Sequence, residues 1–303
     1  MGAFFVYRLW CELWAGKIEK AGLGCQKTTA RSPMAQDYNN QVIGLVRFSF
    51  PALSGFSKGG DDFKELEAFL YDPERLERRF YLFEKLCLPS LLAQTDPDFT
   101  CVFLVGNSLP PAAKDHLQAL ISPLANARIV ARESEHNYAA IRKVYDSIPQ
   151  DGFSHRTSFR LDDDDALSND YIKRLKQTAR KLEPLCKPKL PLALSFNRGF
   201  YVQIKNGENR IFDACERTPL SVGSALFAQA GHPENVYARN HRFLGQFFNL
   251  YSDVSEPNFI RAIHRDNDSD PVIVGHSNKL SKAEIKTGID THFPIPFDTL
   301  QDL

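Results

Sequence analysis

The sequence predicts an α/β protein: a mostly parallel central sheet with helices on both faces, extended by antiparallel strands toward the C-terminus. Three observations predict it. Between Gln41 and Leu182, four short apolar, β-branched runs alternate with amphipathic stretches of helical spacing, the pattern of crossovers onto a parallel sheet. After Pro184 the runs shorten and turn-forming residues separate them, which is antiparallel patterning. With 303 residues, 43% of them hydrophobic and 12% aromatic, the chain can bury one large core or two modest ones.

Residues 1–40 open on the apolar run Gly2 to Tyr7, but Arg8, Glu12, Lys17, Glu19 and Lys20 break it before it spans a bilayer. Its basic residues follow the apolar run, the reverse of a signal peptide, and Met34 stands shortly before the first strand. Residues 1–33 are therefore expected to be an upstream extension outside the fold. Val42 to Phe48 reads as a buried strand, bounded by Pro51 and a Gly/Ser-rich loop through Gly60, a loop expected at a ligand. Asp72-Pro73 opens a helix whose stripe is Leu76, Phe80, Phe83 and Cys87, kinked or restarted at Pro89. Phe99 to Val105 is the second strand and Pro110 to Ile121 the second helix; Arg128 to Ala131 and Tyr138 to Ile148 make the third pair. Arg156 to Leu161 is the fourth strand, followed by a helix from Asp170 to Leu182. Leu192 to Phe196, Phe200 to Ile204 and Arg210 to Asp213 are short strands, the last two joined by Asn206-Gly207, and are expected to add antiparallel to the sheet. Thr218 to Ser224 reads as a flexible polar segment, and Gly231 to Phe248 is rich in His, Arg and aromatics. Residues 41–183 and 184–290 thus form two halves of one domain, and residues 291–303 are expected to be a tail.

The fourth strand runs into Asp162-Asp163-Asp164-Asp165. Four adjacent carboxylates at the end of an apolar strand repel one another unless a cation neutralises them. Asp oxygens without neighbouring Cys or His favour a hard ion, Mn2+ or Mg2+, over Zn2+. The plainer alternative is an acidic turn capping the next helix. Because ligands bind at the carboxyl ends of parallel strands, Arg47, Ser49, Asn107 and Asp162 to Asp165 are expected around one crevice.

Lys+Arg and Asp+Glu both number 37, so no net basic field exists to hold nucleic acid. The six cysteines form no CxxC pair, and Cys87 and Cys101 stand in apolar surroundings, which suggests a reducing compartment without disulfides or zinc. A cytoplasmic protein, at most peripheral at the inner face of the membrane, is the expectation.

A βαβαβ half ending in an acidic DxD-type motif, followed by a mixed second half, resembles the GT-A fold of nucleotide-sugar-dependent glycosyltransferases. Ser90-Leu91-Leu92-Ala93-Gln94-Thr95 is similar to a Ser-x-x-x-Gln-Thr helix end of family-two inverting enzymes. Arg160 to Leu167, with Arg47-Phe48-Ser49-Phe50, resembles more narrowly a bacterial rhamnosyltransferase family, over about residues 41–280. The resemblance implies that Asp162 and Asp164 match the two acids that contact the ribose and the metal bridging the diphosphate. Asp163 adjoins them in the nucleotide site, and Asp165 is a further metal candidate. It also implies a nucleotide-sugar donor, possession of rhamnose as one option, and a glycan or lipid-linked saccharide as acceptor. Val105-Gly106-Asn107-Ser108 departs from the Asp-Asp-Gly-Ser that many relatives carry there.

An inverting transferase needs a base for the acceptor hydroxyl. Asp213 and Glu216, just after the hairpin, stand roughly where such enzymes place it, and His241 is the other option. His264 and His276 are candidates to reach the metal or the diphosphate from the C-terminal segment, with His276 carried as a metal ligand. Arg47 and Arg160 suit phosphate oxygens, and Arg160 equally suits balancing the Asp run. Two other readings remain: a phosphohydrolase of the haloacid-dehalogenase kind, which also places Asp-x-Asp after a strand, and a non-catalytic metal- or carbohydrate-binding protein.

Overall fold

The apolar runs become strands and the striped segments become helices close to where the sequence places them. A computed structural model describes residues 37–52, 63–205, 208–267 and 273–303. The expectations for residues 1–36, for the Gly/Ser-rich loop to Gly60, for the Asn206-Gly207 turn and for Asp268 and Val272 lie outside the described residues. Tyr38 to Leu303 cluster as one unit.

Strand β1 is Asn40–Arg47. Helices α1 (Phe63–Leu70) and α2 (Pro73–Leu82) follow. Asp72 caps α2 by accepting from the Arg75 N–H at 2.9 Å, and Pro73 takes the first turn, where no N–H is needed. Pro89 cannot donate to a carbonyl four residues back. The chain adapts by a π-turn over Phe83–Cys87, with Leu88 N–H bonding Phe83 O, and continues as α3 (Leu88–Leu92). Gln94 ends this segment by donating to Ser90 O and Ser168 O and accepting from the Ile172 N–H, so it welds two helices together. Then come β2 (Thr100–Gly106), α4 (Pro111–Ile121), β3 (Ala127–Arg132), α5 (Asn137–Asp146), β4 (His155–Asp162), β5 (Ala166–Leu167) and α6 (Tyr171–Leu182). The second half contains β6 (Leu192–Phe196), β7 (Arg198–Gln203), β8 (Arg210–Cys215), β9 (Ala225–Gln229), α7 (Leu244–Phe247), β10 (Asn249–Asp253) and β11 (Phe259–Ile263). It closes with β12 (His276–Ser277), α8 (Lys282–His292) and α9 (Phe297–Gln301). Among the described residues no helix is long and apolar enough to cross a membrane.

The main sheet has the order β10-β6-β9-β4-β1-β2-β3. β1 to β4 are mutually parallel where they pair, and β9 is antiparallel to both β4 and β6. This mostly parallel sheet covered by helices is the GT-A-like architecture that the resemblance implied. Alternate residues of β1 serve the two faces: Val42 and Val46 join one core cluster, Ile43 and Leu45 the other.

The second half differs from the sequence expectation in three ways. β7 and β8 do not extend the main sheet; they form a second one, in the order β12-β8-β7-β11-β5. The reason is burial on both faces. Tyr201 packs into the core shared with the main sheet, while Phe200 and Val202 pack against Ile285, Ile289 and Phe293. Next, Thr218 to Ser224 is held and largely buried, with Arg160 N–H bonding Ser224 O and Gly223 N–H bonding Arg160 O. It leads into β9, a strand the reading lacked, whose five residues supply the antiparallel rung between β4 and β6. Finally, residues 291–303 are packed, with Phe293, Ile295, Phe297 and Leu300 buried.

Gly44 in the middle of β1 leaves room for the Phe159 ring from β4: a Cβ there would lie 2.2 Å from the ring. Gly44→Val is expected to destabilise the protein by about 1–3 kcal/mol through overpacking, measurable as a lowered midpoint in urea denaturation followed by circular dichroism.

Candidate active site

β4 leaves the main sheet after Asp162, and β5 enters the second sheet at Ala166. Asp162 to Asp165 are therefore the turn that joins the two sheets, closed by the Asp165 N–H donating to Asp162 O at 3.2 Å. Asp163, Asp164 and Asp165 are 0%, 4% and 2% exposed. Carboxylates so deeply buried require partners, and the protein supplies them. Arg79 reaches in from α2 to pair with Asp163 and, at 2.8 Å, with Asp164. Asp164 Oδ2 also meets His264 Nε2 at 2.8 Å and accepts from Asn267 Nδ2 at 3.2 Å. Because His264 Nδ1 accepts from the Asp266 N–H, its Nε2 carries the proton and donates to Asp164. Asp165 Oδ1 accepts from the Ala262 N–H of β11 at 3.0 Å. Asp162, the most exposed of the four, faces Arg47 at 3.6 Å and Arg160 at 3.9 Å. The parallel register produces that contact, since it sets Arg47 beside Asp162.

These partners separate the acids electrostatically. Burial alone would raise the Asp164 carboxyl, but Arg79, His264 and Arg261 outweigh it and hold the group well below the usual carboxylate range. Burial and the neighbouring Asp164 charge push Asp165 well above that range. Arg261 stays firmly charged despite its burial because Asp165, Asp162 and Asp164 face it.

A crevice of about 450 Å³ opens at this turn. Arg47, Arg160, Arg261, Asp162, Ser221, Tyr237 and His241 are among the residues that line it. Tyr237 is a strut: its hydroxyl donates to Leu45 O at 2.8 Å and its ring lies under the Arg160 guanidinium at 4.7 Å. Arg239, also on the wall, pairs with Glu234 at 2.8 Å and stacks over Phe247 at 4.7 Å. Burial, and then the charges of Arg160, Arg261, Arg242 and Arg47, lower the His241 pKa well below the ordinary imidazole value, so the ring is neutral at neutral pH. Arg160 Nε, Arg261 Nη1 and Ser221 Oγ are buried without a hydrogen-bond partner. Buried donors left unmatched at a cavity wall are suited to a polar ligand.

Of the residues singled out by sequence, Arg47, Arg160, Asp162, Asp163, Asp164, Asp165 and His241 meet here. The others do not. Asn107 lies beyond β2 toward β3, on the far side of β1 from β4, where its amide donates to Glu133 at 2.5 Å. Ser49 is buried with φ 46°, and its hydroxyl accepts from Arg75 at 3.2 Å. Asp213 accepts from the Lys279 and Leu280 N–H groups, anchoring the C-terminal segment. Both Glu216 oxygens are engaged, by the Tyr201 hydroxyl at 2.9 Å and the Val274 N–H at 3.0 Å. His276 is exposed on β12, opposite Cys215. The carboxylates and histidine nominated for Mn2+ or Mg2+ do not converge as one donor set: Asp164 Oδ2 is shared by three protein donors, Asp165 is tied to β11, and His276 lies elsewhere. Among the described residues no group of three or more His, Cys, Asp or Glu side chains is arranged to hold a metal ion.

Arg79, Arg261, Asn267 and Tyr237 escaped the sequence reading. Arg75 and Arg79 share a face of α2, four residues apart in a helix read only for its apolar stripe, and both are buried. Arg261 is a lone charge within the apolar strand Phe259–Ile263, as Arg160 is within β4. An isolated arginine inside a buried strand was the available signal.

The family model described as "Putative rhamnosyl transferase" matches residues 41–276. The chain belongs to this family. Family membership sets it among glycosyltransferases. No protein of curated function matches the sequence. Among solved structures it is similar to TarS of S. aureus, residues 1–349 in complex with UDP-GlcNAc, at 10% identity and TM-score 0.43, over 77% of this chain and 62% of that one. It is also similar to a Desulfovibrio desulfuricans G20 protein described as a "putative nucleotide-diphospho-sugar transferase", at 8% identity and TM-score 0.35, over 72% of this chain and 81% of that one. The chain thus spans under two thirds of that TarS fragment.

Removing the Arg79 charge strands two buried carboxylates. Arg79→Met is expected to destabilise the protein by about 3–5 kcal/mol, read from urea unfolding by circular dichroism. His241 gives a pH dependence of known sign. Its folded-state pKa lies below the ordinary 6.5, so below that pH the unfolded chain binds a proton that the folded chain refuses, and stability falls. His241→Gln is expected to flatten this decline between pH 6.5 and 5, leaving the part that His155, also held low by burial, contributes.

Proposed function

We propose that this protein is a glycosyltransferase that holds the diphosphate of a nucleotide-sugar donor in the crevice at the ends of β1 and β4 and passes the sugar to a saccharide hydroxyl. The observation that carries the reading is the set of unmatched buried donors on the crevice wall, Arg160 Nε, Arg261 Nη1 and Ser221 Oγ, in a member of this family. Rhamnose is the donor sugar that the family description favours.

The reaction makes three demands. The bond between the anomeric carbon and the diphosphate oxygen breaks, and negative charge develops on the leaving group; the guanidinium groups of Arg47, Arg160 and Arg261 stand where that charge would be stabilised in a water-poor site. The acceptor oxygen must attack while losing its proton. Neutral His241, which lines the same crevice, is the base that can take it, replacing the choice between Asp213 and Glu216. The acceptor must lie beside His241. Phe243, 49% exposed, follows it in the chain and offers an aromatic face to a sugar ring. A glycan or lipid-linked saccharide fits that surface.

The test is release of nucleoside diphosphate from dTDP-, UDP- and GDP-sugars in the presence of saccharide acceptors. One donor is expected to be consumed. His241→Gln is expected to lower kcat about 10²- to 10⁴-fold while nucleoside diphosphate affinity stays within a few-fold. If calorimetry detects binding of none of the three nucleoside diphosphates to the wild-type protein, the proposal fails.

A further inference from the structure

We infer that arginine side chains, and not a divalent cation, hold and neutralise the donor diphosphate in this site. The inference rests on the nucleotide-sugar reading above and concerns how that site works. Its first support is charge balance. Asp162, Asp163, Asp164 and Asp165 are met within the fold by Arg47, Arg79, Arg160 and Arg261, four guanidinium groups for four carboxyl groups, of which Asp165 is held toward its neutral form, before any ion is added. The electrostatic reason for a metal at an acidic run is thereby removed.

The second support is the polarity of what is left unmatched. A metal ion requires acceptor oxygens, whereas Arg160 Nε, Arg261 Nη1 and Ser221 Oγ–H offer hydrogens. Diphosphate oxygens satisfy all three groups; a cation satisfies neither guanidinium. Asp163, whose oxygens lack a hydrogen bond, is 0% exposed and is ion-paired with Arg79. Of the four acids that line the crevice only Asp162 is not buried, and it has Arg47 at 3.6 Å and Arg160 at 3.9 Å, so a divalent ion bound there would lie against two like charges.

The guanidinium geometry suits the task. Its fixed fork of N–H groups pairs with two phosphate oxygens at once, and it stays charged at every working pH. Arg160 is pre-set by the Tyr237 ring beneath it and is 9% exposed, so little ordering remains to be done when the anion arrives. In the transfer step, the electron pair of the broken sugar–oxygen bond leaves with the nucleoside diphosphate and is stabilised by these guanidinium groups. The acceptor oxygen bonds to the anomeric carbon and its proton passes to His241. No other reactant is needed.

The experiment is calorimetric titration of dTDP, UDP and GDP into the full chain, once in EDTA and once in MnCl2, with Arg261→Met and Ser221→Ala as variants. One nucleoside diphosphate is expected to bind in EDTA with a Kd within about twofold of that in Mn2+. Arg261→Met is expected to weaken it about tenfold or more, and Ser221→Ala by a smaller factor without changing thermal unfolding. The parent nucleoside, lacking phosphates, is expected to bind both variants as it binds the wild type. Binding that appears only with Mn2+ overturns this inference and leaves the donor reading standing. No binding under either condition overturns both. The wild-type comparison stands by itself if Arg261→Met fails to fold.

Discussion

Asp163, Asp164 and Asp165 are buried at the point where one sheet becomes the next, and their charge is tolerated only because guanidinium and backbone groups from distant segments converge on them. Arg79 comes from α2 and Arg261 with the Ala262 N–H from β11, while Arg47 from β1 and Arg160 from β4 itself meet Asp162 beside them. Removing one partner of such a network leaves an uncompensated charge in a poorly solvated place, so each element's position is tied to the others'. α2 is bound twice over: Arg79 holds the Asp turn, and Arg78 holds Asp266 at 2.6 Å in the turn that carries His264. The two sheets are thus joined covalently by the Asp turn and electrostatically by the groups around it.

The same network shapes the crevice. Arginines that balance the acids also present N–H groups to the opening, and the Tyr237 ring fixes one of them in place. Their field reaches His241, which burial and four nearby arginines keep uncharged. One arrangement therefore supplies both a cationic surface and a neutral imidazole within a single cavity. That pairing of guanidinium groups with a proton acceptor is what the proposed sugar transfer from an anionic leaving group would use.

The second sheet explains where the other half of the site comes from. β11 brings Arg261 to the crevice, and the segment after β9 brings Tyr237 and His241. Neither segment belongs to the βαβ alternation of the first half. The C-terminal helices α8 and α9 bury the outer face of this sheet, with Phe293 against Phe200, and so hold β11 from behind.

Local pattern by itself determined much of the first half: four parallel strands, the helices between them, the cap at Asp72 and the position of the Asp run at a strand's carboxyl end. These follow from periodicity, turn chemistry and capping, which act over a few residues. It also brought Arg47, Arg160 and His241 into consideration. Only the tertiary structure decided that β9 inserts between β4 and β6, that β7 and β8 start a sheet of their own, and that Asp213, Glu216, Asn107 and His276 work elsewhere. Strand pairing and burial on two faces depend on residues far apart in the chain, and no local period encodes them. The charge of the Asp run is the clearest case. Its existence is plain in the sequence, but its partner Arg79 stands more than eighty residues away, and folding alone shows that a guanidinium meets these buried carboxylates.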